Sequence, residues 1–213
     1  MGLVVNHKRV QRLMNELGLT SKVRPKRYKS YKGEVGRVAD NMLNRAFTAQ
    51  KPNQKWVTDV TEFKVKDQKV YLSPIIDLFN QEVVSYEVRT SVALPLVTDM
   101  LRAATQKLQR HEKPLIHSDQ GWQYQNKQYQ NHLKANGLVQ SMSRKGNCLD
   151  NAVAENFFGI LKTEMYHNEA FNDADELIES IKEYIDYYNN ERIKLKLKGL
   201  SPVQYRNQAL AAA

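Results

Sequence analysis

The sequence holds a single cysteine, Cys148, in 213 residues. An internal disulfide and any thiolate metal cluster are therefore excluded. No run reaches the roughly 18 apolar residues of a membrane span, and the residues after Met1 lack the apolar core of a secretory signal. A glycine-rich phosphate loop, a Ser/His/Asp set for acyl transfer and a histidine-rich zinc motif are all missing. So are internal repeats and low-complexity tracts beyond the terminal alanines. These absences fit a reduced, cytoplasmic protein. Apolar residues make up 41% of the chain, enough for one medium domain plus an appendage.

Acidic residues are scarce in the first quarter. Residues 1–55 hold 13 Lys and Arg against 3 Asp and Glu, and the remainder holds 19 against 20. The net charge of +9 therefore resides at the N-terminal end. Such a block suits a polyanion, nucleic acid above all, through phosphate neutralisation and counterion release. A solvated basic arm without a target is the plain alternative. Residues 6–18 read as a short helix, with Asn6 as N-cap and Val10, Leu13, Met14 and Leu17 as its apolar stripe. Lys8, Arg9 and Arg12 lie on the other side, as on a DNA-facing helix. One helix cannot bury its own stripe. The expectation is either a truncated helix-turn-helix module or a helix that docks elsewhere. Residues 20–50 read as an extended basic linker with one or two helical turns over 40–47, and 51–54 as a boundary.

From residue 55 onward, β-rich runs alternate with helical stripes. Strands are expected over 55–65, 70–78 and 82–89, joined by short turns as an antiparallel meander. A helix over 94–110 follows, then a strand over 114–119 and a helix over 126–136 closed by Gly137. A strand over 138–143, a loop-and-helix stretch over 146–162 and a longer helix over 173–190 complete the core. This order implies an α/β fold, a mixed five-stranded sheet flanked by helices, with a basic N-terminal helical arm. Three regions result: the arm at 1–50, the core at 51–170, and a C-terminal helix with a basic tail at 171–213.

Three carboxylates stand out. Asp59 falls mid-strand, where aspartate is disfavoured, so it needs either a hydrogen-bonded structural role or a cation. Asp119 ends its strand at the carboxyl edge, where open α/β sheets bind ligands. Its alternative is a turn cap. Glu155 lies off the apolar stripe of Phe157, Ile160 and Leu161, with Gly159 and Lys162 following on its own face. A solvated surface glutamate is the alternative there. Three hard oxygen donors suit Mg²⁺, with Mn²⁺ as a substitute. Two such ions about 4 Å apart can activate an attacking hydroxyl and stabilise the leaving oxygen of a phosphoryl transfer. His117 shares a strand face with Asp119 and either reaches that site or is satisfied in the core.

The blocks Trp56-Val57-Thr58-Asp59-Val60-Thr61 and His117-Ser118-Asp119-Gln120-Gly121-Trp122-Gln123-Tyr124 belong to a larger ordered set. Thirty-five residues separate Asp119 from Glu155, and Phe157-Phe158, Leu161-Lys162, Tyr187-Tyr188-Asn189-Asn190 and Leu200-Ser201-Pro202 follow. This set resembles the integrase-like DDE transposases of bacterial insertion sequences and, more distantly, retroviral integrase cores. The likeness covers essentially the whole chain. It implies a ribonuclease-H-like fold and a DDE triad of Asp59, Asp119 and Glu155, acting as catalytic and metal-binding residues with two Mg²⁺ ions. It also implies cleavage and joining of DNA at insertion-sequence ends, with terminal repeats and target DNA as partners and a homo-oligomer assembled on the nucleoid. Lys162 becomes a contact to end DNA. Asn147, Asn151, Gln120 and Tyr124 become candidates for positioning DNA, with loop capping and packing as the alternatives. By this resemblance the chain would begin inside the last helix of a helix-turn-helix module. Residues 192–199 are purely basic and apolar where some relatives carry histidine, which suggests a phosphate-contacting tail. The competing readings are a non-catalytic DNA-binding remnant that regulates transposition, and a stand-alone ribonuclease H.

Overall fold

The computed structural model describes residues 5–19, 37–144 and 151–211. Its centre is a mixed sheet of six strands: β1 (Lys55–Thr58), β2 (Thr61–Val65), β3 (Gln68–Asp77), β4 (Val83–Arg89), β5 (Leu115–Ser118) and β6 (Val139–Met142). The order is β2-β3-β1-β5-β6, with β4 also paired to β3. β3 pairs antiparallel with β1, β2 and β4, while β1, β5 and β6 run parallel.

Six strands replace the expected five because the run 55–65 is divided. Asp59 Oδ1 accepts the Val60 N–H at 2.8 Å, and this local bond competes with the ladder. The partner strand adds a second reason. Thr58 pairs with Ile75 and Thr61 with Leu72, so Pro74, which has no N–H, stands opposite Asp59.

Helices cover both faces: α1 (His7–Glu16), α2 (Pro95–Gln106), α3 (Trp122–Gln125), α4 (Lys127–Ala135), α5 (Ala152–Leu161), α6 (Ala174–Asn190) and α7 (Pro202–Ala211). The alternation of β1 separates two apolar cores. Val57 joins Phe63, Leu72, Phe157, Leu161, Ile181 and Tyr188 beneath α5 and α6. Trp56 joins Ile116, Met100, Leu101, Tyr129 and Leu133 beneath α2 and α4. α5 continues into a π-helical turn at Lys162–Tyr166. Among the described residues no helix is long and apolar enough to cross a membrane.

The segment 37–50, read from composition as part of the arm, lies against the core. Leu43 is 2% exposed, and Phe47 and Ala49 pack beside it. No helix forms over 40–47; Asn44 and Arg45 turn the chain with positive φ. The segment shields the outer edge of β6. Met142 N–H donates to the Asp40 carbonyl at 3.3 Å, and the Met42 and Leu43 N–H groups donate to Ser141 Oγ at 2.9 and 3.1 Å. An exposed strand edge is a template for unwanted pairing, and this strap covers it. α1 is capped by Asn6, whose side chain accepts the Lys8 N–H at 2.9 Å, and it buries no residue.

At the sheet end where β1 begins, α7 is tied down by charge. Arg206 bonds the fully buried Asp77, which also accepts the Asn53 and Phe79 N–H groups at 2.8 and 3.0 Å. Arg206 Nε stands 2.9 Å from Glu82. Removing one partner of a buried pair strands the other charge, at about 3–5 kcal/mol. Arg206→Met is therefore expected to lower unfolding free energy in urea by about that much. An Arg206→Met/Asp77→Asn double variant is expected to lose less than Arg206→Met alone. A double variant as unstable as the sum of its parts would refute the stranded-charge account.

Candidate active site

Strand register brings the first two carboxylates together. Val57 of β1 pairs with His117 of the parallel neighbour β5. Two residues further along each strand are Asp59 and Asp119, on the same face and about one strand spacing, roughly 4.8 Å, apart. Asp119 is fixed by the Gly121 N–H, which donates to its Oδ1 at 2.8 Å. Gly121 is required there: a Cβ would lie 2.9 Å from that carboxylate oxygen and 2.6 Å from Gln123 Nε2. Glu155 arrives from the first turn of α5, the helix that packs against β1.

Electrostatics records the convergence. Burial pushes the Asp59 carboxyl well above the usual carboxylate range, and the negative charges of Asp119 and Glu155 push it further. The Val60 N–H and the nearby Asn151 amide pull the other way. Burial also raises Asp119, against the Gly121 N–H. Among the described residues no three His, Cys, Asp or Glu side chains form a ready-made metal cage. The tight pair is Asp59 and Asp119, with Glu155 the weaker influence on Asp59. The donors are hard oxygens of like charge, which suits Mg²⁺ or Mn²⁺ better than a soft metal.

The surrounding residues divide into floor and rim. Tyr124 is fully buried, with its hydroxyl 3.5 Å from Thr58 Oγ1 and its ring edge-on to Tyr129. Burial first, then Asp59 and Asp119, raise its phenol well above its ordinary value. Of the two readings of Tyr124, positioning DNA or packing, its burial is the packing one: it exposes no surface and lies close to the two aspartates. Gln120 donates from Nε2 to the Ser143 carbonyl at 3.0 Å, anchoring the loop that follows β6. Asn151 is 5% exposed, and its amide stands beside Asp59, whose carboxyl it helps to hold down. Asn147 lies outside the described residues.

Lys162 is engaged within the protein. Its ammonium donates to Thr61 Oγ1 at 2.7 Å and to the Glu62 carbonyl at 2.9 Å, and lies 4.9 Å from the Phe63 ring centroid. It thus ties the end of α5 to β2. Lys8, Arg9 and Arg12 are exposed on α1, with Arg12 3.4 Å from Glu16. His117 is a core residue. Ser141 Oγ accepts two backbone N–H groups, so its own O–H donates to His117 Nδ1 at 2.8 Å, which leaves the ring hydrogen on Nε2. The sequence reading missed Gly121 and the Thr58–Tyr124 floor. A glycine two residues after a strand-end acid was the available signal for the first, and nothing local signalled the second.

Crowded carboxylates oppose folding at neutral pH. The raised Asp59 means that the native state holds its proton more tightly than the unfolded chain, so this contribution to stability fades as pH rises from about 4 through the native value. Asp59→Asn is expected to match the wild type at acid pH and to exceed it by about 1 kcal/mol near pH 7. Thermal melts across that range read the difference; a gap that stays constant with pH would exclude the repulsion.

Residues 49–148 and 155–210 match the integrase core domain family, and residues 1–27 match an HTH-like domain. The chain is 57% identical to the transposase InsK assigned to insertion sequence element IS150 of Escherichia coli, over 97% of this chain and 73% of that protein. It is 55% identical to a transposase-like protein of Haemophilus influenzae, over 97% and 95% of the two chains. It is 35% identical to the transposase for insertion sequence element IS904 of Lactococcus lactis, over 96% and 81%. Among solved structures, the HTLV-2 integrase catalytic core domain in complex with magnesium superposes with a TM-score of 0.55 at 22% identity, covering 74% of this chain and 98% of that one. A simian T-cell lymphotropic virus intasome chain gives 0.59 at 19%, covering 78% and 56%. These likenesses establish the ribonuclease-H-like fold, and the sequence relatives add the lineage: the chain belongs to the integrase-core transposases of bacterial insertion sequences.

Proposed function

We propose that the cleft at Asp59, Asp119 and Glu155 carries out DNA strand cleavage and strand transfer at insertion-sequence ends. The observation that carries this reading is the meeting of three acids from β1, β5 and α5, where Asp119 and Glu155 both act on a buried Asp59. Asp59 and Asp119 would hold a divalent ion between them, with Glu155 completing a second position beside Asp59. Bound there, Mg²⁺ or Mn²⁺ supplies Lewis-acid polarisation of the phosphodiester and a more acidic nucleophile.

The chain's own residues do the rest. The Gly121 N–H orients the Asp119 carboxylate, and the Val60 N–H orients Asp59. The buried Tyr124 and Thr58 close the floor against water. Asn151, buried beside Asp59, steadies that carboxylate where the DNA phosphate would approach. Gln120 steadies Ser143, just after β6, and Asn147, outside the described residues, is a further candidate for positioning DNA. Lys162 borders the same helix and adds positive potential for end DNA. Lys8, Arg9 and Arg12 present the cations of a DNA-contacting helix on the N-terminal arm. The attacking oxygen comes from water in cleavage and from the freed DNA 3′-hydroxyl in strand transfer, so no covalent bond to the protein forms. The protein acts as a homo-oligomer on terminal repeats and target DNA in the nucleoid. A non-catalytic remnant is not favoured, because all three acids are retained and gathered.

Asp59→Asn is expected to bind DNA as the wild type does while losing Mg²⁺-dependent cleavage by about three orders of magnitude or more. Independently of activity, Mg²⁺ or Mn²⁺ is expected to raise the Tm of the wild type and to leave that of Asp59→Asn little changed. Wild-type cleavage by Asp59→Asn would sink the assignment of the triad.

A further inference from the structure

The basic stretch after α6 is not a loose tail. Lys194 and Leu200 form a backbone bridge, with Lys194 N–H to Leu200 O at 3.0 Å and Gly199 N–H to Lys194 O at 3.0 Å. Between them lies a tight 3-10 turn at Leu195–Leu197, closed by Lys198 and Gly199 at φ 59° and 79°. Leu197 is buried beneath the turn. Arg192 grips Glu164 through Nε at 2.8 Å and through its Nη2, and Tyr184 donates to the same carboxylate at 2.8 Å. Lys194 Nζ donates to Gln81 Oε1 at 2.8 Å and lies 4.3 Å from the Tyr188 ring centroid.

These anchors hold out an unusual apex. Leu195 is 96% exposed and Ile193 is 68% exposed, and Lys196 and Lys198, which follow the leucine in the same turn, are also exposed. No acidic residue follows Glu191 in the chain. An isolated exposed leucine is ordinary. Here the leucine sits in a short braced turn together with two exposed lysines. Exposed cations next to an apolar point match a nucleic-acid duplex, where lysines meet phosphates and an apolar wedge unstacks a base step.

Position supports that partner. An open groove of about 520 Å³ runs along α5 past Glu155, Asn156, Gly159, Thr163 and Glu164. Glu164 at its far end is the carboxylate that anchors Arg192. Nine helical residues rise by roughly 13 Å, or about four base steps of a duplex. We infer that the 192–200 loop is a second DNA-binding element, a braced knuckle whose Lys196 and Lys198 hold phosphates and whose Leu195 presses into the duplex a few base pairs from the acids. This rests on the reading of the cleft as a DNA-processing site.

The test uses the full chain and a mixed-sequence DNA duplex, followed by anisotropy over a salt series. Lys196→Gln/Lys198→Gln is expected to reduce the slope of log affinity against log salt by about two. Leu195→Ser is expected to keep that slope while suppressing the fluorescence rise of 2-aminopurine that reports unstacking. All three positions are exposed, and an unchanged Tm verifies folding. Wild-type slope and wild-type unstacking in these variants would overturn the inference. So would a Leu195→Ser protein with normal DNA binding but altered sedimentation, which would make the knuckle a protein-docking surface. Mg²⁺-dependent cleavage by the wild type is scored separately, so failure of the catalytic reading and failure of the knuckle are distinguishable.

Discussion

The register between β1 and β5 is the constraint on which the rest depends. Parallel neighbours paired at Val57 and His117 deliver Asp59 and Asp119 side by side past their strand ends. Two like charges about 5 Å apart repel by roughly 3 kcal/mol at an effective dielectric of 20. A flexible scaffold would relieve that strain by letting the acids separate. Here the strands are clamped between two apolar cores, with Val57 facing one and Trp56 the other. Close-packed interiors transmit strain rather than absorb it. The repulsion is therefore kept in place, available to be offset by whatever positive charge enters the cleft.

The opposite end of the same strand shows what a structural aspartate looks like. Asp77, beside Trp56 in the ladder, is fully buried, yet it receives an arginine and two backbone N–H groups. Asp59 receives one backbone N–H and the weaker help of the Asn151 amide and, among the described residues, no salt bridge. Evenness of compensation separates the two. Where a fold only needs to be stable, it neutralises its buried acids; where it leaves one under-compensated among other acids, the local rule is broken for a purpose.

Much of this was legible in the sequence, and the limits have physical causes. Helices α2, α4 and α6 follow stripes of period 3.6, with Asn126 and Asp173 serving as caps. Strand positions followed β-rich composition, and the three acids followed from residue type and order. The split at Asp59 was not legible, because it depends on Pro74 in the partner strand. The strap over β6 was hidden because residues 37–50 have the composition of a linker, and only Leu43 and Phe47 hinted at a buried face. Tyr124 read as a candidate for positioning DNA because it sits five positions after Asp119 in a polar stretch. Only tertiary packing shows that the short helix α3 turns it inward.

Net charge was the most misleading guide. It assigns the basic character to residues 1–55 and leaves the remainder balanced. Yet balance over that remainder is an average over separated signs. The acids of the cleft occupy one end of α5, and the lysines of the 192–200 loop lie beyond the other. Several cations in between serve the fold: Lys162 ties α5 to β2, Arg192 binds Glu164, and Arg206 holds α7. Burial drives Lys194 down to about 7, so even a basic-looking run contains a lysine that does not carry its full charge at neutral pH. A charge contributes to binding only where its head reaches solvent, and that is a property of the fold rather than of the composition. The same separation lets one helix serve two ends: α5 presents Glu155 toward Asp59, and its π-turn presents Glu164 to Arg192 of the cationic loop.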